Sequence, residues 1–164
     1  MMCVVQMVVD EQRHEQLISA LRRTVANGAL LLATADERLT DGNQTAHEVL
    51  AHLVFWHREY VAVAQALLAR RQPDLRLGTF TELNALACQE FAGEPLPALA
   101  RCLLTLQELL EAALRHLPDW EINFPVKQGG RYWSVEERVA AIEAHIRHHI
   151  MRLRRAARQP ISEA

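Results

Sequence analysis

"SVEERVAAIEAHIRHHIMRLRRA", residues 134–156, is the stretch on which the architecture turns. Ser134 with Glu137 three residues later is a capping box: the hydroxyl accepts from the N3 amide while the carboxylate accepts from the N-cap amide, and a helix opens. Val135, Val139, Ile142, Ile146, Ile150 and Leu153 then recur every three or four positions, one face of that helix. His145 and His149 stand on the same face, separated by about 40° and roughly 6 Å, so both point into the interior, where a polar ring needs a partner. His148 lies about 100° from His149 and is left out of the pair. Two imidazoles at this spacing can converge on one ion at about 2.0–2.1 Å each. They can equally be core histidines bonded to carbonyls or to each other, and a chain with eight histidines can reach the spacing by accident. Residue 146 is Ile, so the stretch is not the HExxH of zinc proteases, which needs a glutamate base there.

A third ligand is offered by His52 in "LAHLVFW", residues 50–56, flanked on its own face by Val49 and Trp56. Thr45 with Glu48 is a second capping box, which puts His52 about 10 Å into its helix. His145 and His149 lie roughly 16 and 22 Å into theirs, and His149 is about 12 Å from the far end. Only antiparallel helices bring the three level. An up-down-up-down bundle would make these two helices parallel, so the three-histidine site requires an up-down-down-up order with a long crossover. His57, five positions after His52 and about 140° away, cannot serve the same ion; it is assigned to the rim or surface with His14, His47 and His116.

The remaining segments supply the other helices. Leu17, Leu21, Val25, Ala29 and Leu32 mark a first helix over about residues 10–36. "DGNQ", residues 41–44, has turn composition, and the helix carrying His52 runs from Thr45 to about residue 71, before Pro73. A connection of about 25 residues follows, the place for the crossover, with a short helix opened by the Thr79–Glu82 capping box and ending near Phe91. Pro95 and Pro97 suit the first turn of a third long helix, striped by Leu99, Leu103, Leu106, Leu110 and Leu114 and stopped at His116 by Pro118. Residues 119–133 are expected as loop, with "KQGGRYW" forming a hairpin-like excursion or a lid. No stretch alternates at period two for long enough to make a strand. The class is therefore all-α, a four-helix bundle in one domain over residues 1–164. Residues 1–9, "MMCVVQMVV", are expected as a loose N-terminal extension, too short to span a bilayer and without a basic leader.

Several classes are set aside on composition. A net charge of −2 gives no field to gather phosphates, and the arginines of residues 152–158 are favoured at a helix C-terminus by its dipole. No nucleic-acid or membrane partner is expected. Cys3, Cys88 and Cys102 are odd in number and far apart, outside any CxxC spacing, which fits a reducing cytoplasm. A di-iron bundle needs two ExxH pairs, and only Glu11 with His14 qualifies.

"LAHLVFW" and "AHIRHHIMRL" together resemble the DinB-like (DinB/YfiT) metal-binding four-helix family. "GTFTELNA", residues 78–85, and "GGRYWSVEE", residues 129–137, are similar to its ClbS/DfsB-like branch. The resemblance covers most of the chain. It implies a crossed-over bundle, a homodimer, and metal ligands at His52, His145 and His149. Where family members often carry Gln three residues after the last ligand, this chain has Arg152. Some members resemble thiol-dependent S-transferases or isomerases using bacillithiol or mycothiol, and ClbS-like ones hydrolyse an electrophilic cyclopropane. Membership thus fixes fold better than reaction.

Three neutral imidazoles leave a divalent ion its full charge and an open position. Such an ion lowers the pKa of bound water or takes up a low-molecular-weight thiol as thiolate. Zinc, nickel, iron and copper all suit nitrogen ligands. Trp56 and Trp133 can wall an apolar substrate pocket or simply pack in the core. Glu48, Glu59 and Glu143 are near in sequence, but none is placed as a base. The expectation is a cytoplasmic metal-dependent enzyme that activates a thiol or water against a small electrophile, in detoxification or stress response. The alternative is a non-catalytic binding or sequestering module whose histidine site is structural or empty.

Overall fold

Capping chemistry sets where the helices begin. In the computed structural model, which describes residues 2–158, the boxes at Thr45/Glu48, Thr79/Glu82 and Ser134/Glu137 are all closed in both directions. They open α2 (Ala46–Leu68), α3 (Phe80–Glu90) and α5 (Val135–Ala157). α1 (Met2–Ala33) precedes them, and α4 (Leu96–His116) starts with Pro95 as its N-cap and Pro97 in its first turn. The side chains of residues 2–9 lie outside the described set, and with them the loose packing expected there; the backbone of α1 continues to Met2.

Contacts along the helices give their directions. Arg13 pairs with Glu136, and Thr24 Oγ1 donates to Glu143 Oε1 at 2.8 Å, so α1 and α5 run the same way. Arg22 meets Glu111 while Glu15 meets Arg115, so α1 and α4 oppose each other. The His47 ring bonds the Glu94 carbonyl and His57 bonds Gln107, which makes α2 and α4 parallel. His52 reaches His145, and Ala64 shares a crevice with Val135, which makes α2 and α5 antiparallel. The order is up-down-down-up. Residues 69–95, including α3, make the crossover, and α3 lies against α2.

Among the described residues the core is one cluster, and α2 gives it more buried residues than any other helix. Leu50, Phe55, Leu103, Ile146 and Leu153 are among its fully buried side chains. Packed mainly against α4 and α3, α2 buries polar residues as well as apolar ones, His52, His57 and Glu59 included.

The stretch expected as loop contains a small sheet. β1 (Asn123–Phe124) pairs antiparallel with β2 (Trp133–Ser134), Asn123 opposite Ser134 and Phe124 opposite Trp133. Two residues per strand are too few for alternation to be visible in sequence. The excursion they close is tied to the crossover: Gln128 N donates to the Arg76 carbonyl at 2.9 Å, and Gln128 Nε2 donates to that of Leu75 at 3.1 Å. No described helix is long and apolar enough to cross a membrane.

Candidate metal centre

Antiparallel pairing of α2 and α5 brings His52, His145 and His149 together, one ligand atom from each lying within 4.8 Å of the others. The lone pairs they present are fixed by groups behind them. Trp56 Nε1, which can only donate, gives its proton to Asn84 Oδ1 at 2.8 Å. That oxygen is therefore the acceptor for His52 Nδ1 at 2.9 Å, so His52 carries its proton on Nδ1 and turns a bare Nε2 inward. Asp41 does the same for His149: its carboxylate accepts from Nδ1 at 3.1 Å. His52 Nε2 and His145 Nε2 are 2.8 Å apart, so in this state His145 donates to His52, and ligation requires that proton to move to Nδ1.

Asp41 sits in the "DGNQ" turn, which is shaped to hold it. Its Oδ1 accepts from the amides of Asn43 and Gln44 at 2.9 and 3.0 Å. Gly42 follows at φ +100, a conformation that favours glycine, where a Cβ would also meet the Arg152 guanidinium at 3.2 Å. Arg152 Nε donates to the Asp41 carbonyl at 3.0 Å, so Arg152 braces this turn. Burial pushes the Asp41 carboxyl up, but the two amides and the His149 ring outweigh it and hold it below its usual range.

Electrostatics keep the rings neutral. Burial, reinforced by His145 and His149, lowers His52 to about 4. Burial together with His149 and His148 lowers His145 to about 4, although His145, expected to point into the interior, is exposed to solvent, unlike His52 and His149. His149 is lowered by burial despite Asp41, which acts the other way. Neutral imidazoles are the form that binds a metal. Two oriented Nε2 lone pairs and a third ring within reach fit a divalent ion.

Beside the triad, a cavity of about 390 Å³ is lined by His52, His145, Trp56, Tyr60, Trp133 and Arg138 among others. Both tryptophans singled out in the sequence thus stand on its wall. The carboxylates do not: Glu48 is held in its cap, Glu59 pairs with Arg76, and Glu143 takes Thr24 and Arg147. His148 is exposed, outside the triad. His57 departs from expectation. It is only 1 % exposed, because the turn away from His52 directs it at α4, where it bonds Gln107 Oε1 at 2.8 Å. Asn84 and Asp41 escaped sequence reading because each looked like ordinary helix or turn polarity.

A family model of the DinB superfamily matches residues 13–151. The chain belongs to the DinB superfamily. The match assigns the superfamily and not a branch within it. No curated protein and no solved structure matches the chain. The DinB superfamily is metal-binding, and here the histidine triad could hold the ion.

Proposed function

We propose that this DinB-superfamily protein is a metal-dependent enzyme that turns a low-molecular-weight thiol or water on a small electrophile, a transferase or hydrolase of the detoxification and stress-response kind. The observation supporting it is the pair of outward-facing N–H groups, His52 to Asn84 and His149 to Asp41, which direct two lone pairs at a point beside an aromatic-walled cavity. A site of purely structural metal would be closed, whereas this one opens on space large enough for a small molecule. When bound, a divalent ion such as zinc, nickel or iron supplies a Lewis-acid charge that favours the deprotonated nucleophile. Asn84 and Asp41 hold the tautomers, and the walls of Trp56 and Trp133 exclude water from the substrate.

Elemental analysis of tag-free protein prepared without chelator tests the first step. Stoichiometric metal is expected, with uptake lost in His149→Ala; wild-type protein that takes up no zinc, nickel or iron overturns the proposal. A panel of thiols and electrophiles tests the second. The direct His52–His145 hydrogen bond at 2.8 Å favours a second reading, a non-catalytic binding module that is stable without metal. Metal uptake without turnover on that panel would select it.

A further inference from the structure

The charge and the unused donors of the cavity point to what enters it. Among its lining residues there is one permanent cation, Arg138, and no carboxylate. Tyr60, also on the wall, stays a neutral phenol because burial pushes it up to about 12. The nearest acid in sequence, Glu137, is committed to the cap, its carboxylate accepting from Ser134 N at 2.9 Å.

Two residues of this wall each carry a buried side-chain N–H without a partner. Among the described residues, the only buried side-chain nitrogens or oxygens without a hydrogen bond are Trp133 Nε1 and Arg138 Nε. They belong to neighbouring groups: the Arg138 guanidinium carbon lies 4.8 Å from the centre of the Trp133 ring. Arg138 Nη2 is occupied, reaching the carbonyls of Arg131 and Phe124 at 3.2 and 3.4 Å, so the guanidinium is anchored while its Nε is unused. A buried N–H left unpaired costs stability, and two together beside a cavity mark a place where a ligand supplies the acceptor. Arg138 precedes His145 by seven residues, two turns along one face of α5, or about 10 Å.

We infer that the cavity takes a small apolar monoanion, a carboxylate on an unsaturated or aromatic frame, whose carboxylate accepts from Arg138 Nε and Trp133 Nε1 while its other end reaches His52 and His145. This rests on the proposed function in so far as the molecule is the electrophilic substrate; the binding of the anion itself does not require metal. Trp56, Trp133 and Phe80 supply aromatic surface along the wall for the frame. Lys127 and Arg131, over the rings of Phe80 and Trp133, add positive charge around the same aromatic residues.

Calorimetric titration of trans-cinnamate and of its neutral amide, into chelator-treated and zinc-loaded full-length protein, tests this. Cinnamate is expected to bind both forms at least about tenfold more tightly than the amide. Arg138→Gln removes that preference, and Trp133→Phe, which keeps the ring and deletes the N–H, weakens cinnamate about threefold to tenfold and the amide less, because the bond to a carboxylate is the stronger one. Should Arg138→Gln fail to fold by circular dichroism, Trp133→Phe decides. No measurable cinnamate binding at millimolar concentration overturns the inference. So does equal affinity for acid and amide, or a preference that disappears on chelation and survives Arg138→Gln, since the carboxylate would then sit on the metal. Protein that takes up no metal yet keeps an Arg138-dependent preference overturns the proposed function and leaves this inference standing.

Discussion

Trp56 acts on His52 through Asn84: one indole N–H settles which end of the amide faces the ring, and the amide settles which nitrogen faces the site. Asn84→Leu removes the acceptor and leaves two buried donors unpaired, so metal affinity is expected to fall about 10- to 100-fold, whereas Asn84→Asp retains it. Competition with a chromogenic chelator reads both. His57 carries a second consequence. Complete burial lowers it to about 4 although Gln107 supports it, against about 6.5 in the unfolded chain. The unfolded state therefore binds the extra proton between these values. Stability from this residue is complete above about pH 6.5, declines as pH falls, and has lost about 3 kcal/mol by pH 4. His52 and His145, lowered likewise, slope the same way. In urea unfolding of chelated protein between pH 4.5 and 7, His57→Gln is expected to reduce the slope by up to one proton; an unchanged slope would refute the assignment. His52, His145 and His149 were readable from sequence because helical angle is arithmetic. Asn84 was not, because its partner lies 32 residues away on another helix.

At the scale of elements, the three capping boxes were legible because their chemistry is local, each pairing residues three positions apart. Ser134→Ala opens the box that begins α5 and is expected to cost about 1 kcal/mol, a fall of roughly 2–4 °C in Tm for a chain of this size. Differential scanning calorimetry measures it, and no change in Tm would mean that packing alone fixes the start of α5. The pair β1 and β2 shows the opposite case. Its strands have no pattern to read, and their pairing follows from Ser134 being both the last strand residue and the cap of α5, with Val135 N bonded to the Trp120 carbonyl at 3.0 Å. His57 was misplaced for a related reason: angle from His52 gave its direction correctly, but not that α4 occupies that direction.

For the whole molecule, the crossover is what joins the halves of the site. His52 comes from α2, His145 and His149 from α5, Asn84 from the crossover helix and Asp41 from the turn before α2. An ion held by two helices binds the folded state alone, so metal at 100 times its Kd is expected to add about 2.7 kcal/mol to stability. Thermal unfolding with and without zinc should show this as a rise in Tm that His149→Ala abolishes; an equal rise in that variant would place the metal elsewhere. What the sequence determined by itself was the set of helices, their caps, the shared side of α5 that His145 and His149 occupy and, through the depths of the histidines, the antiparallel order that a shared site demands. Those are consequences of fixed rise and rotation per residue. What only the tertiary structure decided was the company the histidines keep: the Asn84 and Asp41 acceptors, the burial of His57, and a cavity with one guanidinium and no acid. Such neighbours are set by how side chains from distant segments pack, and no spacing along the chain encodes that distance.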